Sequence, residues 1–517
     1  MLIFAIAKSG YAMANFKSLA KDTAIYGLSS IIGRFLNYLL VPLYTYKISA
    51  ESGGYGVVTN LYAYTALLLV ILTFGMETTF FRFANKDDED PKLVFSTILR
   101  MVGSVALGFL ALVFAFIKPL SAAMGYAEHP SYVWTLAIIV ALDAFQAILF
   151  SYLRYKKQPL KFVALKLLFI FLSIGLNLLY FVVLPWLAGR GYALPAWLYS
   201  PSVGVGYVFY INLFCTAFVT LFFRREIRGI LGGFDRGLMK RMLAYSWPLL
   251  LLGIAGILNQ TADKILFPHI YPGEDADTQL GIYGAASKIA MIMAMITQAF
   301  RYAYEPFVFA KHKDRQSVEA YADAMKYYVI FSLLILMGVI FYLDIFRYII
   351  SSHYWEGLKI VPVVLWTYVF QGIYFNLSFW YKLTDETRWG AYFSLIGLVI
   401  TLVLQIVGVP RIGYWASCGS SLVCYLCIML LSYFIGQKRA PIPYDLRCIG
   451  RYTLLTILLL AAYYLPIYLL HISNMWAHMG IGTVLLGIYL YVLTKRDFPI
   501  KDYLYVFRNR RNHGSSR

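Results

Sequence analysis

Fourteen stretches of roughly 20 apolar residues, separated by short polar turns, recur along the 517-residue chain. A helix of about that length crosses the hydrocarbon core of a bilayer. Inside hydrocarbon every backbone N–H and C=O must be paired within the segment, so each stretch reads as a transmembrane helix. They cover residues 24–46, 55–81, 93–117, 132–153, 160–187, 203–223, 243–270, 281–309, 327–349, 361–381, 390–409, 414–435, 452–470 and 477–493, and are numbered here as spans 1 to 14. Only 14% of the side chains are charged and 60% are hydrophobic, against about 25% charged in a soluble domain. A water-soluble multidomain enzyme is excluded, and the expected fold is an all-α polytopic membrane protein.

Lys and Arg number 45 against 26 acidic residues, a formal charge of +19. With the N-terminus inside, 34 of the 45 fall on inside stretches, and outside loops hold Lys47, Lys118, Arg190, Arg347, Lys359 and Arg411. Positive residues collect on the cytoplasmic side, so both termini are predicted to be cytoplasmic. The excess charge is topology, and nucleic acid is not an expected partner. The opening apolar patch ends at Lys8 with no basic residue before it and no cleavage site, so residues 1–23 read as a cytoplasmic tail; Met13 is an equal candidate start.

No loop is long enough for a catalytic domain. The longest, at 224–241, is a basic amphipathic connector. A phosphate-binding G-x-x-x-x-G-K-[ST] loop is absent. The seven histidines are scattered without metal-ligand spacing, and His471 and His478 flank an outside turn as interfacial polar residues. Cys215, Cys418, Cys424, Cys427 and Cys448 are an odd set, mostly in apolar runs, and Cys424-x-x-Cys427 reads as inert core thiols. No catalytic residue, metal or cofactor is expected.

The second and eighth spans carry an internal repeat. YGVVTNLYAYTALLLVILTFGMETTFFRFA from Tyr55 and YGAASKIAMIMAMITQAFRYAYEPFVFA from Tyr283 both open on Tyr-Gly and close on Phe-x-Phe-Ala. An offset of six spans is even, so the repeat is parallel. The division is then a tail at 1–23, a six-helix bundle at 24–223, a basic cytoplasmic linker at 224–242, a second six-helix bundle at 243–437, two extra helices at 438–494 and a basic tail at 495–517.

A charge at mid-bilayer costs about 2.5–3.5 kcal/mol on insertion scales and so usually faces a cavity or a partner. Nine lie away from span ends: Arg34, Glu77, Asp143, Lys166, Asp263, Lys264, Lys288, Arg301 and Glu305. Seven belong to spans 1, 2, 7 and 8, the corresponding helices of the two repeats, which marks a surface between the halves. Asn259 and Asp263 share a helix face, as do Gln298, Arg301 and Glu305, and Lys166, Ser173 and Asn177. Arg301 and Glu305 also satisfy each other as an i, i+4 pair, and Glu77 and Lys264 lie close enough to an interface to snorkel. Asp344 reads as an interfacial partner of Arg347, and Pro42 and Pro306 as kinks or hinges.

LAKDTAIYGLSSIIGRFLNYLLVPLYT and GGYGVVTNLYAYTALLLVILTFGMETTFFRF in the first half, with Ala262-Asp263-Lys264, GIYGAASKIA and YEPFVF in the second, resemble bacterial polysaccharide-transport flippases of the multidrug/oligosaccharidyl-lipid/polysaccharide exporter superfamily. The resemblance implies two six-helix bundles around a central cavity, alternating access, and transfer of lipid-linked oligosaccharide across the bacterial inner membrane for cell-surface polysaccharide. It implies that Arg34, Lys166, Lys264, Lys288 and Arg301 neutralise a pyrophosphate. Glu77, Asp143, Asn259, Asp263 or Glu305 would carry a coupling proton or sodium ion. Membrane lipid, the anionic lipid-linked glycan and a glycan polymerase are the implied partners. An ion-coupled multidrug exporter of the same superfamily is the nearest alternative, although that branch is usually described with twelve helices. A membrane glycan polymerase or glycosyltransferase fits less well, because the first outside loop offers only Glu51.

Overall fold

The computed structural model describes residues 38–49, 53–310, 315–384, 386–472 and 474–497. Among them are thirteen helices long and apolar enough to cross a membrane, matching spans 2 to 14, and no strand. The all-α class expected from the sequence is the class observed. Of span 1 only its end is described, as the helix Leu40–Lys47. The N-terminal tail, Arg34 and most of the C-terminal tail lie outside the described residues.

Helix starts follow local chemistry. The orphan N–H groups of a first turn need acceptors. Lys92 N–H donates to Asp90 at 3.0 Å, Gly237 and Leu238 N–H to Asp235 at 2.6 and 3.0 Å, Cys448 N–H to Asp445 at 3.0 Å, and Trp476 N–H to Asn474 at 2.9 Å. Pro91, Pro130 and Pro159 open spans 3, 4 and 5, where a missing N–H costs nothing.

Several spans are not the single helices their apolar runs suggest, spans 2 and 5 among them. Span 2 divides into Gly54–Thr73 and Met76–Ala84, because Phe74 and Gly75 take φ of 29° and 73°, and glycine adopts that left-handed region without a Cβ clash. Span 5 contains a π-helical turn, Leu179–Val183, just before Pro185, which has no N–H for the regular ladder. Near Pro42 the helix is interrupted at Leu39. Span 8 stays helical from Ala276 to Ala310, through Pro306.

The chain forms two compact units, Met1–Lys313 with Ile349–Pro441, and Asp314–Tyr348 with Ile442–Arg517. In the first, span 2 lies against spans 7 and 8. The approach to span 8 is at backbone distance: a Cβ on Gly56 would overlap the Asp277 carbonyl, one on Gly281 would come 3.1 Å from Gly56 N, and one on Gly284 would overlap Thr59. Span 11 turns Leu395, Val399, Val403 and Ile406 outward, a lipid-facing stripe at helical spacing.

The second unit packs span 9 with spans 13 and 14. Tyr489 donates to Ile330 O at 2.8 Å, and Gly482 abuts Phe341. At one end Lys326 pairs with Asp497 at 3.0 Å. At the other, Arg347 and Asp344 form the expected interfacial pair at 3.2 Å, joined by His478 Nδ1 at 2.7 Å from Asp344. All five cysteine thiols are free.

The loop between spans 6 and 7 is docked on span 3. Ser96 Oγ lies 2.5 Å from Gly233 O and 3.0 Å from Ile230 O, and Arg100 Nε donates to Ile230 O at 2.7 Å. Arg100, a cation toward the loop end of span 3, is thereby explained as a clamp. Arg100→Ala should destabilise the protein by about 1.5–3 kcal/mol, the usual worth of a charge-assisted hydrogen bond; thermal melting in detergent at fixed lipid content checks this.

Candidate functional site

The first unit encloses a cavity of about 560 Å³. Its walls come from Tyr55, Thr59 and Tyr62 of span 2, Asn259, Asp263 and Lys264 of span 7, Tyr283, Ser287 and Lys288 of span 8, Gln371 of span 10, and Cys418 and Tyr425 of span 12. Spans 5 and 6 add Ser173 and Asn212. Among the described residues the charged groups on this wall are Asp263, Lys264 and Lys288.

Asp263 is buried. Its Oδ2 accepts from Tyr283 OH at 2.5 Å and from Lys264 Nζ at 2.8 Å, while Oδ1 has no partner. Two residues adjacent in sequence thus neutralise each other, with Lys264 also 5.2 Å from the Tyr283 ring centroid. Asn60 Nδ2 donates to Lys264 O at 2.8 Å, which holds span 7 against span 2, and Asn60 Oδ1 accepts from Tyr126 OH at 2.9 Å. Lys288 makes no hydrogen bond or ion pair with any described residue. The cavity therefore carries two ammonium groups and one carboxylate, and the excess positive charge sits on the lysine without a partner. An isolated charge removed from water is costly unless something compensates it.

Asn259 and Asp263 do share the cavity face, as their spacing predicts. Asn259 Nδ2 donates to Ser394 O at 2.9 Å and its Oδ1 is left without a partner. Two buried oxygens one helical turn apart are thus unsatisfied, a donor set suited to a small cation or a proton.

The other sequence candidates are placed differently. Glu77 accepts from Arg154 at 2.9 Å and from Ser151 at 3.2 Å. Lys166 lies 4.1 Å from the Phe150 ring centroid and within electrostatic reach of Asp143. These four groups belong to the N-terminal repeat and do not line the cavity. Arg301 is over the Phe375 ring at 4.5 Å, also off the wall. Arg34 and the Glu305 side chain lie outside what the structure describes, and with them the expected Arg301–Glu305 pair.

Sequence reasoning from charges missed the tyrosines. Tyr283 holds the carboxylate, Asn212 Nδ2 donates to Tyr62 OH at 2.8 Å, and Gln371 Nε2 to Tyr425 OH at 2.7 Å. In a chain with 44 tyrosines the residue type alone singles out none. The signal available was the repeat itself, since Tyr55 and Tyr283 open its two copies and both line the cavity.

Residues 19–303 match the family model described as polysaccharide biosynthesis protein, and residues 270–407 match that described as MatE. No curated protein matches significantly. Among solved structures, "Lipid II flippase MurJ, inward closed conformation" superposes with a TM-score of 0.66 at 14% identity, over 90% of this chain and 98% of that one. An inward-facing multidrug resistance MATE family transporter of the MOP superfamily gives 0.61 at 14%, over 81% and 95%. The MATE multidrug transporter DinF-BH gives 0.56 at 15%, over 83% and 98%. At these identities the likeness is one of fold, and the polysaccharide biosynthesis model covers more than half of the sequence. The chain therefore belongs to the polysaccharide biosynthesis protein family.

Proposed function

We propose that the chain is a flippase that carries a polyprenyl-pyrophosphate-linked oligosaccharide across the bacterial inner membrane by alternating access, as a step in making cell-surface polysaccharide. The observation that carries this reading is the unpartnered Lys288 ammonium beside the Lys264–Asp263 pair, in a cavity whose walls also present hydroxyls, amides and tyrosine rings among apolar side chains such as Val58, Phe169 and Val364. Two ammonium groups suit the phosphates, and aromatic faces with polar tips suit sugar rings. Arg34, Lys166 and Arg301 are assigned further contacts along the path. The lipid tail would remain in the bilayer, so only the headgroup needs the enclosed volume. A glycan polymerase is the partner that would use the product.

Ion coupling is assigned to Asp263 with Asn259, on their two unsatisfied oxygens. Glu77, Asp143 and Glu305 are the remaining candidates. Asp263→Asn should make transport indifferent to an imposed proton or sodium gradient. Gradient-dependent transport that survives this change removes Asp263 from the coupling role.

The match to the MatE model over residues 270–407 favours a second reading, an ion-coupled multidrug exporter. Proteoliposomes loaded in parallel with labelled lipid-linked glycan and with a cationic dye separate the two. The flippase reading expects glycan transfer that slows in Arg34→Ala and Arg301→Ala and no dye transport. Dye transport without glycan transfer overturns it.

A further inference from the structure

The docked loop between spans 6 and 7 displays a charge pattern that transport through the cavity does not use. Three acidic groups around it are already engaged. Glu226 takes Lys161 at 2.7 and 2.9 Å, Asp235 caps the start of span 7, and Glu89 takes Arg241 at 2.6 Å. Arg224, Arg225, Arg228, Arg236 and Lys240 are exposed and have no hydrogen bond, ion pair or ring contact with any described residue. Beside them Leu231 is 78% exposed and Phe234 40%.

The loop is held at a fixed height. Ser96 and Arg100 grip its carbonyls from the first turns of span 3, which begins at Pro91, and Gly229 lies against the Phe95 ring. At about 1.5 Å per residue those anchors are roughly 8–14 Å along the span from its start. A row of cations and two apolar side chains are therefore presented together at the end of the membrane-spanning region. A protein or nucleic-acid surface offers anions there but no hydrocarbon at the adjoining depth. A leaflet offers both.

We propose that this loop is a binding site for anionic phospholipid headgroups of the leaflet on the side to which the loop charges assign the cytoplasm. Arg224, Arg225 and Arg228 take the phosphates, since a planar guanidinium matches two phosphate oxygens at once. Arg236 and Lys240 extend the positive field, and Leu231 and Phe234 enter the acyl boundary. The site fixes the junction between the two repeats to the membrane surface. It stands whether the cargo is a glycan lipid or a drug.

The test uses the full-length protein in phosphatidylcholine bilayers doped with spin-labelled phosphatidylglycerol or spin-labelled phosphatidylcholine, and reads the motionally restricted fraction of each probe. The unmodified protein should prefer phosphatidylglycerol, and the preference should fall in high salt because the contacts are at the surface. Each cation near an anionic surface contributes about fivefold at most, so R224Q/R225Q/R228Q should cut the preference by about threefold or more. A matched control on other exposed loop cations, R388Q/K438Q/R447Q, should leave it unchanged. Equal loss in both variants, no loss in the loop variant, or a salt-independent preference in the unmodified protein overturns the proposal. So does a preference for a polyprenyl pyrophosphate with none for phosphatidylglycerol, which would assign the site to the cargo.

Discussion

Gly56→Val should open the cavity on the side where span 2 begins and abolish transport. The new side chain would fall on the Asp277 backbone carbonyl, and Gly281 also faces Gly56, a Cβ there coming 3.1 Å from Gly56 N. Backbone cannot rotate away as a flexible side chain can, so the ends of spans 2 and 8 must separate. Overpacking of this kind costs about 1–3 kcal/mol, which corresponds to a shift of roughly 5- to 150-fold toward the open arrangement. Cys418, on the cavity wall, is a natural reporter. In a variant that keeps Cys418 and replaces the other four cysteines by serine, a membrane-impermeant thiol reagent should label the Gly56→Val protein faster by a factor in that range. Gly108→Val is the control, because nothing lies within 4 Å of a Cβ there. Unchanged labelling together with parent-like transport would show that the glycine contact does not close the cavity.

Lys288→Glu should have the second large effect. It turns a cavity with one excess positive charge into one with one excess negative charge, since Lys264 and Asp263 already cancel. A charge-assisted contact to an anion is worth about 1.5–3 kcal/mol, so flipping of a pyrophosphate-linked glycan should fall by roughly 10- to 150-fold, while Lys288→Arg keeps most of it. Measured in the same proteoliposomes, a cationic dye should behave in the opposite way if it is transported at all. Parent-like glycan transfer by Lys288→Glu would take the anion site out of this cavity.

How much of this was legible before any coordinates depends on the range of the interaction concerned. The spans were legible because a bilayer imposes a local length and a local composition. The Asp344–Arg347 pair was legible because three residues on a helix are neighbours. The break at Phe74 and Gly75 was not, since the apolar run continues across it and only the backbone angles report the turn. The partition of the buried charges was also out of reach. Lys166 and Lys288 are equally isolated in sequence, yet one rests on the Phe150 ring and the other faces the cavity without a partner. Which neighbour a buried ammonium meets depends on helices far apart in the chain. Asp263 and Lys264 looked like two independent candidates, and their side-chain conformations make them one ion pair.

The Tyr-Gly that opens each copy of the repeat divides these two kinds of information. The letters at 55–56 and 283–284, at matching places in the spans, predict a parallel repeat without reference to packing, because similarity and span parity are properties of the chain. The reason for those residues is tertiary. Both tyrosines face the cavity, and both glycines let a neighbouring chain come closer than any side chain would permit. The sequence by itself determined the helices, which follow from local length and composition, and it predicts their orientation and repetition from charge and spacing. Only the packing of span 2 against spans 7 and 8 decided where the cavity lies and which lysine in it is left without a partner, because burial is set by groups more than two hundred residues apart.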